Sequence, residues 1–543
     1  MPSIQSTVAR ANRKLPLQQA ATLLAGSALL SAVLGLARDR ILNGLYLTTY
    51  PQGADAYTVA FIIPDFMFFI LTSGALSVTF IPVFNQRFAK GNKKAAWELS
   101  TSILNLMALV TFIVSVLLII FADPLVHYVV GPGLSESGQA LAVSMMRVIA
   151  VNPLLFAIAT VLSSMQQAVG RFTFFALAPA MYNFGIIMGA LFFTNGINIF
   201  GWQIFDGGIM GVALGVVLGA ILQLIVSCIG LIGMGFDYRF AIHWRNKGLR
   251  KFLALLPARS LDQGIDYVNT IVETNLASRM ASGTVRSFQQ AMAYSSVPIN
   301  LIGVSISTAA FPKMSERLAQ GRPDLFKKEL QSVLRVIIWL ALPVTVVAYF
   351  VRGYLVSFIA NGGNTLIASI FGILAIAIVF RSVYYISAKS FYAQQDTKTP
   401  LYVSLFTIAL NIGLAVWFTF GLGMGPYGLA WAEAIVSIIE VSILFIIMTK
   451  RIPGLFDSTF VRAIGRMLSV TGFVAIITYI TTSYFPLSVH DLSFFSSFPK
   501  FTLIVLISGL SYLVFSYIFK VEEVRPVLSR IQKILFYRFN RNR

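Results

Sequence analysis

Arginines and carboxylates that stand inside long apolar runs are the residues of this chain with chemistry to offer. Arg38 and Asp39 lie about 20 residues into the first such run, roughly 30 Å from its start if the run is helical. An ionisable group at that depth costs several kcal/mol, so it marks a functional site or a snorkelling side chain at the far interface. As a site, Arg38 reads as a phosphate ligand, because guanidinium binds phosphate through two parallel bonds and keeps its charge. Asp39 or Asp55 would then be its counter-ion, while Arg40 points elsewhere on the helix and reads as interfacial.

Further charges repeat the question. Arg147 precedes Asn152-Pro153, where a proline break frees backbone groups to face a cavity or an ion pair. Arg259, Asp262, Asp266 and Glu273 recur at spacings of three, four and seven, which places them on one helical face. Arg259 can neutralise Asp262. Asp266 and Glu273 have no local partner, so they pair with arginines of other helices, bind a Na⁺ ion or a proton, or face water. Arg381, Glu433 and Glu440 suggest an arginine–glutamate bridge, and Asn183 and Asn411 suggest interhelical hydrogen bonds. His127, His243 and His490 are scattered over predicted loops, which excludes a histidine metal site and histidine catalysis. No G-x-x-x-x-G-K-[ST] segment is present, so no enzyme and no bound cofactor is implied. Coupling to an ion gradient, to membrane potential or to substrate consumption is expected instead.

The elements that must position these groups are transmembrane helices. Hydrophobic residues make up 57% of the 543 residues and charged residues 11%, against about a quarter in a soluble domain. Apolar runs long enough to cross a bilayer recur throughout without the two-residue alternation of barrel strands. The sequence predicts an all-α polytopic membrane protein of about fourteen spans, at 18–45, 54–85, 97–122, 138–168, 172–195, 208–235, 250–279, 284–316, 328–358, 364–390, 400–421, 426–449, 462–485 and 499–520. The net charge of +20 resides mostly in short connections, which argues for orientation in a membrane rather than for a nucleic-acid partner. Basic loops near Arg87, Arg245, Arg317 and Arg451 alternate with base-poor ones, placing both termini on the cytoplasmic side. The run that follows Arg10, Arg13 and Lys14 is too long for a signal peptide and reads as a retained span. The single Cys228 excludes an internal disulfide.

An internal repeat organises the spans. Ile81-Pro-Val-Phe-Asn-Gln-Arg-Phe-Ala-Lys-Gly91 matches Phe311-Pro-Lys-Met-Ser-Glu-Arg-Leu-Ala-Gln-Gly321. Gln166-Gln167 precede Asn183-Phe-Gly185 at the distance by which Gln394-Gln395 precede Asn411-Ile-Gly413. Gly211-Val-Ala and Gly428-Leu-Ala follow in step. The expected organisation is a six-helix lobe at 1–235, a second at 236–450, and two extra spans with a basic tail at 451–543. Duplicated halves around a cleft are a common transporter plan.

Ser31-Ala-Val-Leu-Gly-Leu-Ala-Arg-Asp-Arg40, Ala54-Asp-Ala-Tyr-Thr-Val-Ala-Phe61 with Ile63-Pro64, and Gly74-Ala-Leu-Ser-Val-Thr-Phe-Ile-Pro-Val-Phe84 resemble the MurJ (MviN) family. Val297-Pro298 through Ala310-Phe-Pro312 and Gln394-Gln-Asp-Thr-Lys-Thr-Pro400 are also similar to family segments. These are lipid II flippases of the multidrug/oligosaccharidyl-lipid/polysaccharide exporter superfamily. The resemblance implies a plasma-membrane flippase moving a polyprenyl-linked cell-wall precursor by alternating access, in the company of membrane lipids and other cell-wall synthesis proteins. It also implies a cavity lined by arginines that hold pyrophosphate, for which Arg38, Asp39 and Asp55 match family positions; the charges at membrane depth add Arg147 and Arg259 as substrate-binding candidates and Asp262, Asp266 and Glu273 as ion-coupling candidates. Ala32, Phe68, Phe69 and Ala293 stand where the family carries basic residues. That departure keeps three rivals open: a flippase for another polyprenyl-pyrophosphate-linked glycan, a cation-coupled small-molecule antiporter, and a non-transporting scaffold.

Overall fold

The computed structural model describes residue 12, residues 17–73, 80–89, 91–199, 202–360, 363–488, 491, 494–530 and 532. Within these, the side chains of 17, 18, 21, 73, 89, 197, 199, 202, 204, 255, 257–263, 265 and 266 lie outside the description. The basic N-terminal residues Arg10, Arg13 and Lys14, the stretch 74–79 of the first signature, and His490 lie outside it too.

The chain is an all-α polytopic membrane protein, and twelve of its described helices are long and apolar enough to span a bilayer. In chain order they begin with α1 (Leu17–Leu42, ending in a π turn Asn43–Leu47) and α2 (Pro51–Phe68, ending in a π turn Phe69–Ser73). The short α3 (Ile81–Ala89) precedes α4 (Lys93–Pro124, continued by a π turn Leu125–Val130). Then come α5 (Glu136–Ile149), α6 (Asn152–Val169), α7 (Thr173–Phe192) and α8 (Met210–Ile229). Next are α9 (Lys247–Ser278), α10 (Thr284–Pro298, with a π turn Ile299–Val304) and α11 (Ser305–Ala319). The remainder are α12 (Pro323–Ser357), α13 (Thr365–Ala393), α14 (Lys398–Val416, with a π turn Trp417–Gly421), α15 (Pro426–Arg451), α16 (Ser458–Tyr484) and α17 (Phe494–Ile518).

Two of the fourteen predicted segments stand apart from these twelve in composition. The segments expected as the seventh and eighth spans are the helices α9 and α10–α11, which are not among the twelve most apolar segments. α9 carries Arg259, Asp262, Asp266 and Glu273, and α10 carries Ser287, Gln289, Gln290, Ser295 and Ser296, so both are more polar than the other long helices. α5 and α6 together make one candidate span, Glu136–Val169, broken ahead of Pro153, where the ring cannot continue the hydrogen-bond ladder. A two-stranded hairpin, β1 (Ile197–Ile199) with β2 (Trp202–Phe205), occupies the base-poor connection before α8.

Helix starts are fixed by side-chain caps that satisfy the first orphan amides. Asn92, Ser135, Asn246, Asn364 and Asp457 accept from Ala95, Gly138, Gly248, Ile367 and Phe460 respectively. The chain forms two compact units, Met1–Arg286 and Ser287–Arg543. In the first, α7 and α8 pack backbone to backbone, since a Cβ on Gly185 would stand 2.2 Å from Gly219 Cα and one on Gly189 2.3 Å from Gly215 Cα. Small residues four apart permit that approach where lipid offers no hydrophobic driving force. Its apolar core gathers Phe84, Trp97, Met107, Met165 and Phe252 from α3, α4, α6 and α9. In the second unit, Met314, Phe326, Leu334, Phe391 and Leu444 join α11, α12, α13 and α15. Trp339, Val470 and Tyr512 tie α12 to α16 and α17, with Tyr512 Oη donating to the Trp339 carbonyl at 2.6 Å.

Candidate substrate-binding site

The first unit builds a buried charge cluster from three helices. Arg38 and Asp39 are neighbours on α1, and Nε and Nη2 of Arg38 donate to Asp39 Oδ1 at 3.1 and 3.0 Å. The remaining nitrogen, Nη1, donates to Asn183 Oδ1 on α7 at 3.0 Å. Asn183 is held in turn, its Nδ2 donating to the carbonyl and hydroxyl of Ser31 at 3.2 Å. Asn183 is therefore the interhelical bond expected from sequence, and it also orients a guanidinium.

The second arginine of the cluster was not foreseen. Arg286, in the first turn of α10, donates from Nη2 to Asp39 Oδ1 at 3.2 Å and from Nε to Asn43 Oδ1 at 3.1 Å, and lies over the Tyr57 ring at 5.9 Å. One carboxylate thus receives two guanidinium groups. Sequence held a signal for it: Arg286 precedes Ala293 by seven residues, two helical turns, so it sits on the face where the resemblance called for an arginine. Side-chain exposure is 26% for Arg38, 15% for Asp39 and 10% for Arg286. Arg38 is the member with a face to offer a ligand.

Of the two counter-ions considered for Arg38, Asp39 takes the role and Asp55 does not. The Asp55 carboxylate accepts the backbone N–H of Gly283 at 2.5 Å and of Arg286 at 2.8 Å. A buried carboxylate on α2 therefore caps the start of α10, where the helix dipole favours negative charge. Gly283 turns the chain into that contact with φ +92°, a backbone conformation side chains disfavour. By fixing the first turn of α10, Asp55 positions Arg286 against Asp39.

Asp65, on α2, was also passed over by sequence reasoning. It lies within electrostatic range of Arg38, Tyr57, Tyr182 and Tyr267. Around it the aromatic side chains form a chain of contacts. Phe69 meets Tyr267 at 5.0 Å, Phe68 meets Phe156 at 5.4 Å, and Phe156 meets Tyr182 at 5.0 Å. Phe68 and Phe69 thus supply ring packing where the resemblance expected a basic pair. Ala32, the other α1 departure, lines an apolar cavity of about 480 Å³ between α1 and α7.

The remaining candidates are placed elsewhere or partly undescribed. Arg147 on α5 is exposed and forms no ion pair with the described residues, so it is not joined to the Arg38 cluster. Arg259, Asp262 and Asp266 have helical backbone within α9, and their side chains lie outside the described residues. Glu273 is buried and accepts from Asn269 Nδ2, one turn back on α9, at 3.0 Å. Among the described residues no group of three or more His, Cys, Asp or Glu is arranged to hold a metal ion.

Comparison with known proteins follows the same lines. The model of the family described as "Lipid II flippase MurJ" matches residues 52–498. A probable lipid II flippase MurJ of Thermotoga maritima is 25% identical over 511 residues, covering 92% of this chain and 96% of that protein. The lipid II flippase MurJ of Burkholderia cenocepacia is 25% identical over 471 residues, covering 83% and 88%. A solved lipid II flippase MurJ in an inward closed conformation shares the fold at a TM-score of 0.73 and 23% identity, covering 93% of this chain and all of that one. An inward-facing multidrug resistance MATE family transporter of the MOP superfamily is similar at a TM-score of 0.64 and 16% identity, covering 79% and 96%. On the family match across residues 52–498, the chain belongs to the lipid II flippase MurJ family, a family of membrane transporters and not of enzymes.

Proposed function

We propose that this protein flips lipid II, a cell-wall precursor borne on a polyprenyl pyrophosphate, across the plasma membrane. Its lobes at 1–235 and 236–450 alternate access to a cleft, the spans at 451–543 flank them, and both termini are cytoplasmic. The observation that carries this reading is the Arg38–Asp39–Arg286 cluster at membrane depth. Asp39 and Asn183 hold Arg38 in one orientation, so its planar fork meets a phosphate without first losing side-chain entropy. Arg286 keeps a second positive charge beside the first and shares the counter-ion that an incoming phosphate would partly replace. The family match supports lipid II over other prenyl-linked glycans.

Complementation of a flippase-depleted bacterium tests it. The unmodified chain is expected to restore growth. Arg38→Ala is expected to fail at normal membrane abundance, and Arg38→Lys to rescue poorly, because a point charge cannot reproduce the two-pronged contact. Full complementation by Arg38→Ala would remove Arg38 from the site and leave it an interfacial residue.

A further inference from the structure

We infer that the groove between α1 and α7 holds the first isoprene units of a prenyl chain whose pyrophosphate lies on Arg38. The inference rests on the flippase reading and deepens it, since it assigns a place to the hydrocarbon part of the substrate. The groove encloses about 480 Å³. Leu24, Ala28 and Ala32 of α1 form one wall, and Phe175, Ala176 and Pro179 of α7 form the other. Both walls lie inside candidate spans, Thr22–Leu47 and Thr173–Asn195.

The lining suits hydrocarbon. It contains no ionisable side chain, and its two hydroxyls, on Ser27 and Ser31, are already engaged. Ser27 Oγ donates to the Leu23 carbonyl at 2.9 Å, and Ser31 Oγ accepts from Asn183 Nδ2 at 3.2 Å. A sugar or a peptide seated there would give up bonds to water and meet mostly carbon, which is unfavourable; an apolar chain gives up none. The space exists because α1 turns short side chains toward α7. Ala28 and Ala32 carry only a Cβ, and an added Cβ on Gly35, one turn nearer Arg38, would stand 3.9 Å from Asn183 Oδ1.

Position selects the occupant. Ser31 belongs to the groove wall and is bonded to Asn183, whose Oδ1 accepts from Arg38 Nη1 at 3.0 Å. A single side chain therefore separates the groove from the guanidinium. Along α1 the wall runs from about 21 Å to about 9 Å before Arg38, at 1.5 Å per residue. In a prenyl pyrophosphate the hydrocarbon begins at the carbon bonded to the phosphate oxygen. In a phospholipid a glycerol and two esters intervene, and those polar groups would fall against Ala32 and Pro179. With the start of α1 cytoplasmic, as proposed above, the groove lies inward of Arg38. A chain within it trails behind a pyrophosphate that has already reached the outer half of the membrane, so the groove serves the late part of the crossing.

Titration of the full chain, held in lipid discs of one composition, with inorganic pyrophosphate, farnesyl pyrophosphate, farnesol and phosphatidic acid tests the assignment. Farnesyl pyrophosphate is expected to bind roughly tenfold tighter than inorganic pyrophosphate, the gain coming from the buried chain. Ala32→Phe fills the groove and is expected to remove that gain while inorganic pyrophosphate binds as before. Partition of the farnesyl chain into the disc is the same for both proteins, so it cancels from the comparison. If Ala32→Phe folds poorly, Ala28→Leu, one turn earlier on the same wall, is expected to reduce the gain several-fold. No gain in the unmodified chain, or a gain that survives both substitutions, would overturn the proposal and leave the Arg38 site untouched. An equal gain for phosphatidic acid, lost in Ala32→Phe, would give the groove to a phospholipid and overturn it too. Farnesol binding lost in Ala32→Phe, in a protein whose affinity for inorganic pyrophosphate is the same with Arg38→Ala, would leave the chain site standing and refute the Arg38 reading.

Discussion

Arg38 and Arg286 share Asp39, so their contributions to stability should not add. Arg286→Ala removes a charge-assisted bond to Asp39 and a bond to the buried Asn43. Charge-assisted bonds contribute about 1.5–3 kcal/mol and neutral-acceptor bonds about 1, giving an expected loss of about 2.5–4 kcal/mol. Arg38→Ala leaves Asp39 with Arg286 and Asn183 with Ser31, and Arg38 itself is about a quarter exposed, so the expected loss is only about 1–2 kcal/mol. The double variant strips both guanidinium groups from Asp39, and its loss should exceed the sum of the singles by about 1–3 kcal/mol. Unfolding of the four proteins in one detergent gives the coupling, with inorganic pyrophosphate binding as the parallel functional measure. Additive losses, or an Arg286→Ala protein as stable as the parent, would refute the shared-carboxylate reasoning.

Asp55→Asn should weaken the cap on α10 and, by loosening Arg286, lower both thermal stability and pyrophosphate affinity, whereas unchanged affinity would confine Asp55 to architecture. Asp396, in the connection before α14, is held well below the ordinary carboxylate range first by the Thr399 hydroxyl, then by the Thr399 amide and Arg451. A depressed folded value stabilises above the unfolded value near 4 and is lost as pH falls through the lower one, so Asp396→Asn should cost about 1 kcal/mol at neutral pH and progressively less below pH 4; a constant difference across acidic pH would refute this. With Cys228→Ser as background, a cysteine at Lys94 should resist an impermeant reagent in intact cells and react after permeabilisation, and labelling from outside would reverse the proposed topology.

Membrane insertion and most spans were legible in the sequence because hydrophobicity is a local property, summed over about 20 consecutive residues. The Arg38–Asp39 pair was legible for the same reason, since adjacency in sequence made it adjacent in space. α9 and α10–α11 are helical as expected, and their charge and amide content sets them apart from the most apolar segments. The rest needed tertiary structure. Arg286 reaches Asp39 across 247 positions, and Asp55 caps a helix whose first amide partner lies 228 positions away. No local pattern encodes such a meeting, because it depends on how helices cross and rotate about their own axes. Arg381, Glu433 and Glu440 could be read as a bridge from residue types alone, but that one guanidinium serves both glutamates was decided by packing. Sequence supplied the charges, while the crossing of α13, α14 and α15 set which of them share a counter-ion.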